Sequence, residues 1–160
     1  MNKILSLQEL SERAADFHRM EKRLVLTNGC FDLLHVGHVR YLQQARELGD
    51  VLVVALNGDE SVRQLKGPGR PINGATDRAE VLAALESVDL ITIFPDLRVT
   101  KIIENVRPTV YVKGGDYTAD SLDPEERSAL ERLGAKIIIL PLVPGKSSSG
   151  LIAQMQGKRS

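Results

Sequence analysis

The chain has 160 residues, 42% hydrophobic and 26% charged, with 21 basic and 21 acidic side chains and no net charge. That is the profile of an ordinary globular protein, expected as one domain over residues 1–160, and it argues against a general nucleic-acid binder, which is usually basic. Aromatics are 4% and tryptophan is absent, so stacking along many exposed bases is disfavoured too.

Ser6 with Glu9 makes a capping box, which predicts an N-terminal helix over about 6–20. Leu24–Leu26 is the first of five short apolar runs. The others are Val51–Leu56, Leu90–Phe94, Val110–Val112 and Ile137–Leu140. Each fits a strand buried on both faces. Helix-period segments separate them. Val36, Val39, Leu42, Ala45 and Leu48 form one stripe, and Gly49 stops it. Thr76 opens a helix carrying Val81, Leu82 and Leu85. Leu97–Val106 reads as a further helix, ended by Pro108. Asp123-Pro124 with Glu126 opens the next and Gly134 closes it. Within it, Glu125-Glu126-Arg127 reads as a solvated face. Ser147 caps a last short helix. Strands alternating with helices imply an α/β fold with a five-stranded parallel sheet and right-handed crossovers.

No apolar stretch nears the roughly 20 residues that cross a bilayer. Residues 1–6 lack the apolar core of a signal peptide. Cys30 is alone, so no internal disulfide forms. The expectation is a cytoplasmic protein without a membrane partner.

Parallel sheets bind ligands beyond the carboxyl ends of their strands, where strand order reverses. The loops predicted there are Asn28–His38, Asn57-Gly58-Asp59, Lys113-Gly114-Gly115-Asp116 and Pro144–Gly150. They gather glycines, lysines and hydroxyls. The connections entering strands, such as Arg46–Asp50, are plain. Two familiar phosphate loops are excluded. Leu140 stands where a P-loop ending in Gly145-Lys146-Ser147 needs glycine, and Gly29 is followed by Phe31 and Leu34 rather than by the glycines of a dinucleotide fingerprint.

His35-Val36-Gly37-His38 sits where the first strand gives way to a helix. A helix start carries unpaired N–H groups and partial positive charge, so it attracts phosphate. Gly37 lets a phosphate approach the backbone, and both imidazoles can donate to it. The bland alternative is a helix cap plus a buried, hydrogen-bonded histidine. A second alternative is zinc held by Cys30, His35 and His38, with His18 as a weak fourth ligand. Cys30 itself reads as a small buried residue at a strand end. Lys66–Pro71 is rich in glycine and proline and is expected to be mobile when empty. Lys66 and Arg70 read equally as solvated loop charges. Arg78, in the first turn of its helix, opposes the dipole. It points to an anion partner or to a surface ion pair.

The segment Thr27–Leu42, TNGCFDLLHVGHVRYL, resembles the HxGH nucleotidyltransferase superfamily. The likeness continues through LNGDESVRQLKGPGRPI (56–72), DRAEVLAALESVD (77–89), RPTVYVKGGDY (107–117) and PGKSSSG (144–150). Together these look most like the adenylyltransferases that make ADP-heptose from D-glycero-D-manno-heptose 1-phosphate. That activity also occurs as the C-terminal half of a bifunctional kinase–adenylyltransferase. No kinase domain is present here, so a stand-alone enzyme is expected. The resemblance implies a Rossmann-like three-layer sandwich, the nucleotidyltransferase fold.

The resemblance implies roles for His35, His38, Lys66 and the serines 147–149, and place in the predicted fold adds the other contacts, Lys113 and Asp116 from the loop after the fourth strand. His35, His38 and Lys66 would be catalytic. ATP would meet Asn28, Gly29, Cys30, Phe31, Asp32, His35, Gly37, His38, Lys113, Gly114, Asp116, Ser147, Ser148 and Ser149. The sugar phosphate would meet Asp32, Asn57, Lys66, Arg70 and Arg78. Mg²⁺ would enter with ATP, with no protein metal site. The partners would be ATP and a sugar 1-phosphate, with no nucleic acid, and the chain would form a homo-oligomer. The superfamily's cytidylyltransferases carry arginine shortly before the serine/threonine motif, as in RTEGIST, and Leu142 stands there instead. A cytidylyltransferase acting on glycerol phosphate or a similar alcohol phosphate is the nearest alternative. A nucleotide-binding module without catalysis is another.

Overall fold

The computed structural model describes residues 2–115, 118–141 and 147–157. Among the described residues, five strands, β1 (Leu24–Gly29), β2 (Val51–Asn57), β3 (Leu90–Phe94), β4 (Val110–Gly114) and β5 (Lys136–Leu140), form one parallel sheet in the order β3-β2-β1-β4-β5. Seven α-helices among these residues accompany them: α1 (Leu7–Arg19), α2 (Val36–Arg46), α3 (Asp59–Lys66), α4 (Ala75–Ala83), α5 (Thr100–Val106), α6 (Pro124–Arg132) and α7 (Ser148–Met155).

Alternation along the strands explains why the apolar runs are unbroken. Leu24, Leu26, Val53 and Ala55 face one core with Leu10 of α1, Ile103 of α5 and Leu130 of α6. Val25, Leu52, Val54 and Leu56 face the other with Leu42 of α2 and Leu82 of α4. A sheet covered on both sides needs apolar residues at every position. From β1 the chain steps outward to β2 and β3, then returns to lay β4 on the other flank of β1. Strand order reverses between β1 and β4, so the carboxyl ends of these two strands flank the crevice.

The structure differs from the sequence pattern in four places. The segment Lys3–Leu5 covers the outer edge of β3: Leu5 N donates to Ile91 O and Ile91 N to Lys3 O, both at 2.8 Å. A covered edge cannot template a foreign strand. Helix α3 follows β2 where only a loop was expected. Ser61 and Val62 are its only buried residues, so it leaves almost no apolar stripe. Helix α5 starts at Thr100 rather than Leu97. The cause is Glu126, whose Oε1 accepts the Val99 N–H at 3.0 Å and holds 97–99 as a corner. Glu126 is thus not on a solvated face; it is 4% exposed. Among the described residues, no helix is long and apolar enough to cross a membrane.

Candidate active site

A cleft of about 520 Å³ opens at the carboxyl ends of the strands. Its floor is Asn28, Gly29 and Cys30 at the end of β1 and Lys113 and Gly114 at the end of β4. His35, Gly37, His38 and Tyr41 come from the start of α2. Asn57, Lys66 and Arg70 come from the β2 side, and Ser147, Ser148 and Ser149 from the start of α7.

Backbone geometry brings the histidines there. Phe31 adopts a left-handed φ of 47°, an uncommon setting for a non-glycine residue. It reverses the chain just beyond β1 and leads it into α2. His35 is the N-cap of α2. Its Nδ1 accepts the Gly37 N–H at 3.1 Å, while Nδ1 of His38 accepts the His35 N–H at 3.3 Å. The bland capping geometry is therefore present, and both rings line the cleft as well. Their centroids lie 4.0 Å apart. Because both Nδ1 atoms act as acceptors, the neutral rings carry their proton on Nε2, as donors. Burial first, then the neighbouring His35, pulls the His38 pKa down to about 4. His38 is therefore neutral at pH 7.

Asp32 organises the β2 side. Its buried carboxylate accepts from Arg70 Nε at 2.7 Å, from Ile72 N at 2.8 Å and from Asn73 N at 2.9 Å. Burial pushes this carboxyl up, but the amides of Asn73 and Ile72 and the Arg70 guanidinium outweigh it, and the pKa ends below the ordinary value. The glycine- and proline-rich loop expected to be loose is thus latched to Asp32. Arg70 is paired rather than solvated. Lys66, the last residue of α3, is exposed and lines the cleft.

Arg78 is not where a ligand could reach it. It is 2% exposed and does not line the cleft. Its guanidinium donates to the carbonyls of Cys30 at 2.7 Å, Asn57 at 2.9 Å and Asn73 at 2.8 Å, and pairs with Asp59 at 2.8 Å. Arg78 thus makes the ion pair expected of it, with the exposed carboxylate of Asp59, and is an internal brace as well. It ties the ends of β1 and β2 to the latched loop.

Cys30 is half-buried on the cleft floor rather than fully buried. Burial raises its pKa, opposed by the charges of Lys66, Arg78 and Arg70. Lys113 is half-buried and burial lowers its pKa, with Glu126 the largest charge working the other way. A Cβ on Gly114 would sit tightly, 3.1 Å from the Tyr41 ring. That ring is fixed by bonds to Thr27 and to the carbonyl of Val112. Burial, opposed by the Thr27 bond, pushes its phenol up to about 12. At α7, Ser147 is the N-cap and its Oγ accepts the Gly150 N–H at 2.9 Å. Asp116 lies outside the described residues.

Sequence reasoning missed Tyr41, Leu65, Leu97, Arg98 and Glu126, all of which line the cleft. The first two lie inside segments already singled out. Leu97 and Arg98 were absorbed into a helix that begins later. His18, the weak fourth zinc ligand, instead contacts the Val106 carbonyl at 2.9 Å. Among the described residues, no three His, Cys, Asp or Glu side chains are placed to hold a metal ion.

Residues 26–154 match the family described as cytidylyltransferase-like. The chain is 46% identical over 154 residues to the bifunctional protein HldE of Citrifermentans bemidjiense, covering 96% of this chain and 31% of the relative. Against HldE of Geotalea uraniireducens it is 50% identical over 135 residues, covering 84% and 27%. The chain spans about a third of the length of these curated relatives. Among solved structures it resembles the lipopolysaccharide core biosynthesis protein of Thermoplasma volcanium, with a TM-score of 0.62, 28% identity and coverage of 76% of this chain and 97% of that one. Pantoate-beta-alanine ligase of Francisella tularensis, at a TM-score of 0.60 and 15% identity, covers 94% of this chain and 70% of that one. At that identity it shares the fold alone.

Proposed function

The chain belongs to the cytidylyltransferase-like family of nucleotidyltransferases, and we propose that it transfers AMP from ATP to D-glycero-D-manno-heptose 1-phosphate, giving ADP-heptose and pyrophosphate. One observation carries the chemistry: two imidazoles with their Nδ1 atoms bonded to backbone line the same cleft as the hydroxyls at the start of α7. Ring N–H donors and a helix start suit a polyanionic triphosphate. The heptose acceptor is supported by the HldE relatives, which match across most of the chain.

The acceptor phosphate is already an anionic nucleophile at neutral pH. One of its oxygens attacks the α-phosphorus of ATP in line. A new P–O bond forms, the bond to the β-phosphate oxygen breaks, and pyrophosphate leaves. No enzyme nucleophile is required. Catalysis is positioning plus charge stabilisation. His35 and His38 would donate to phosphate oxygens through Nε2, and Lys66 would meet the transferring group. Asn28 and Gly29 would line the floor under the nucleotide. Mg²⁺ would ride on the phosphates, offsetting their charge. Asp32 and Glu126, the carboxylates among the described cleft residues, already accept bonds from protein donors.

A pyrophosphate-release screen crossing nucleoside triphosphates with sugar and alcohol phosphates tests this reading. ATP with the heptose 1-phosphate should give the highest kcat/KM. Preference for CTP with glycerol phosphate would replace the reading with the cytidylyltransferase one. Tight ATP binding with no release across the panel would leave a nucleotide-binding module.

A further inference from the structure

We propose that Glu126 is a positioning residue: through its bond to Val99 it holds the Leu97–Arg98 corner as the wall of the acceptor end of the cleft. This rests on the function proposed above.

Glu126 lies in the first turn of α6 and lines the cleft. A carboxylate beside a site for polyanions repels the ligand. Its burial here also costs desolvation unless it is well bonded. Glu126 is 4% exposed, and its Oε1 accepts the Val99 N–H at 3.0 Å. Val99 precedes α5 directly, so this bond fixes the two residues before it, Leu97 and Arg98. Both line the cleft, and Leu97 is 46% exposed, an apolar side chain left facing solvent. The same turn of α6 holds the corner a second time, because Asp123 pairs with Arg98 at 3.5 Å. Glu126 also supplies the largest charge favouring the Lys113 ammonium on the cleft floor.

Topology assigns the corner to the acceptor. The sheet runs β3-β2-β1-β4-β5. Lys66 and Arg70 come after β2 and the corner comes after β3, while Ser147–Ser149 come after β5. With the triphosphate between the imidazoles and the α7 start, the β2–β3 end is left for the sugar phosphate. An apolar side chain and a cation there suit a sugar ring bearing a phosphate.

The test is steady-state pyrophosphate release, with ATP and the heptose 1-phosphate varied in turn. Glu126→Ala should raise the acceptor KM by about tenfold or more and the ATP KM by clearly less, since the Lys113 ammonium also loses a charge partner. Glu126→Gln keeps an oxygen for the Val99 N–H and should stay within about threefold of the unaltered chain. Arg98→Ala, on the exposed side chain, should raise the acceptor KM as well, and it covers the case in which Glu126→Ala does not fold. An unchanged acceptor KM in either alanine variant overturns the inference, as do equal rises in both KM values. Those outcomes leave the adenylyltransferase reading standing. Failure of the unaltered chain to release pyrophosphate from this substrate pair overturns that reading and the inference together.

Discussion

The Ser148 hydroxyl donates to the carbonyl of Leu33 at 2.6 Å, joining residues 115 apart in the chain. The start of α7 is thereby fastened to the loop that leads into His35. The two halves of the proposed triphosphate site are one mechanical unit. Ser148→Ala removes the tie while leaving the Ser147 cap intact. A lost hydrogen bond of about 1 kcal/mol corresponds to roughly fivefold weaker ATP binding. Calorimetric titration with ATP measures it, and an unchanged Kd would show that the tie is idle.

Arg78 is expected to act on stability and not on substrate affinity. Replacing it with alanine leaves the buried Asn57 carbonyl and the part-buried Cys30 and Asn73 carbonyls without their donor and should cost about 2–4 kcal/mol. Arg78→Lys keeps the charge but cannot serve the Cys30, Asn57 and Asn73 carbonyls together. Denaturant unfolding should show both variants destabilised, alanine more so. A variant of normal stability with a raised acceptor KM would return Arg78 to the ligand role its sequence position suggested.

Asp32 should behave as the latch of the Lys66–Asn73 segment. Asp32→Ala strands Arg70 and two backbone amides and should cost about 2–4 kcal/mol. Its pKa is depressed in the fold, so its contribution is present above the unfolded value near 3.8 and is lost as pH falls below it. Limited proteolysis should cut 66–73 faster in the variant. Cleavage at the unaltered rate would mean that the loop holds itself.

Much of this molecule was legible in its sequence, and the failures share a cause. The five strands were visible because a doubly covered sheet forces apolar runs such as Val51–Leu56. The histidine pair was visible because its spacing at a strand–helix junction is rare chemistry. Helix α3 was invisible because only Ser61 and Val62 are buried along it. Glu126 was misread for a related reason: a charged residue in a helix first turn looks solvated, and only the packing around it shows otherwise. Arg78, read as facing an anion or a surface ion pair, pairs with Asp59 and bonds interior carbonyls too, which the sequence does not record. Lys3–Leu5 pairs through backbone atoms, which side-chain patterns do not record.

His38 makes stability depend on pH. Its folded pKa of about 4 lies below the unfolded 6.5. Between those values the unfolded chain binds more protons, so stability is full above pH 6.5 and falls as pH drops toward 4, by at most about 3 kcal/mol. His38→Gln should flatten that slope. Bound ATP favours the charged ring, so ATP binding near pH 6 should take up protons. Calorimetry in buffers of different ionisation enthalpy reads this directly, and no uptake would place the triphosphate away from His38.

The most direct measurement is turnover of ATP and the heptose 1-phosphate by the unaltered chain beside His35→Ala and His38→Ala. Each variant should lose on the order of 10²-fold or more in kcat, the scale of a lost charge-stabilising donor, while remaining folded. Turnover at the unaltered rate in both variants would contradict the account, because the imidazole pair would then be a helix cap and nothing more.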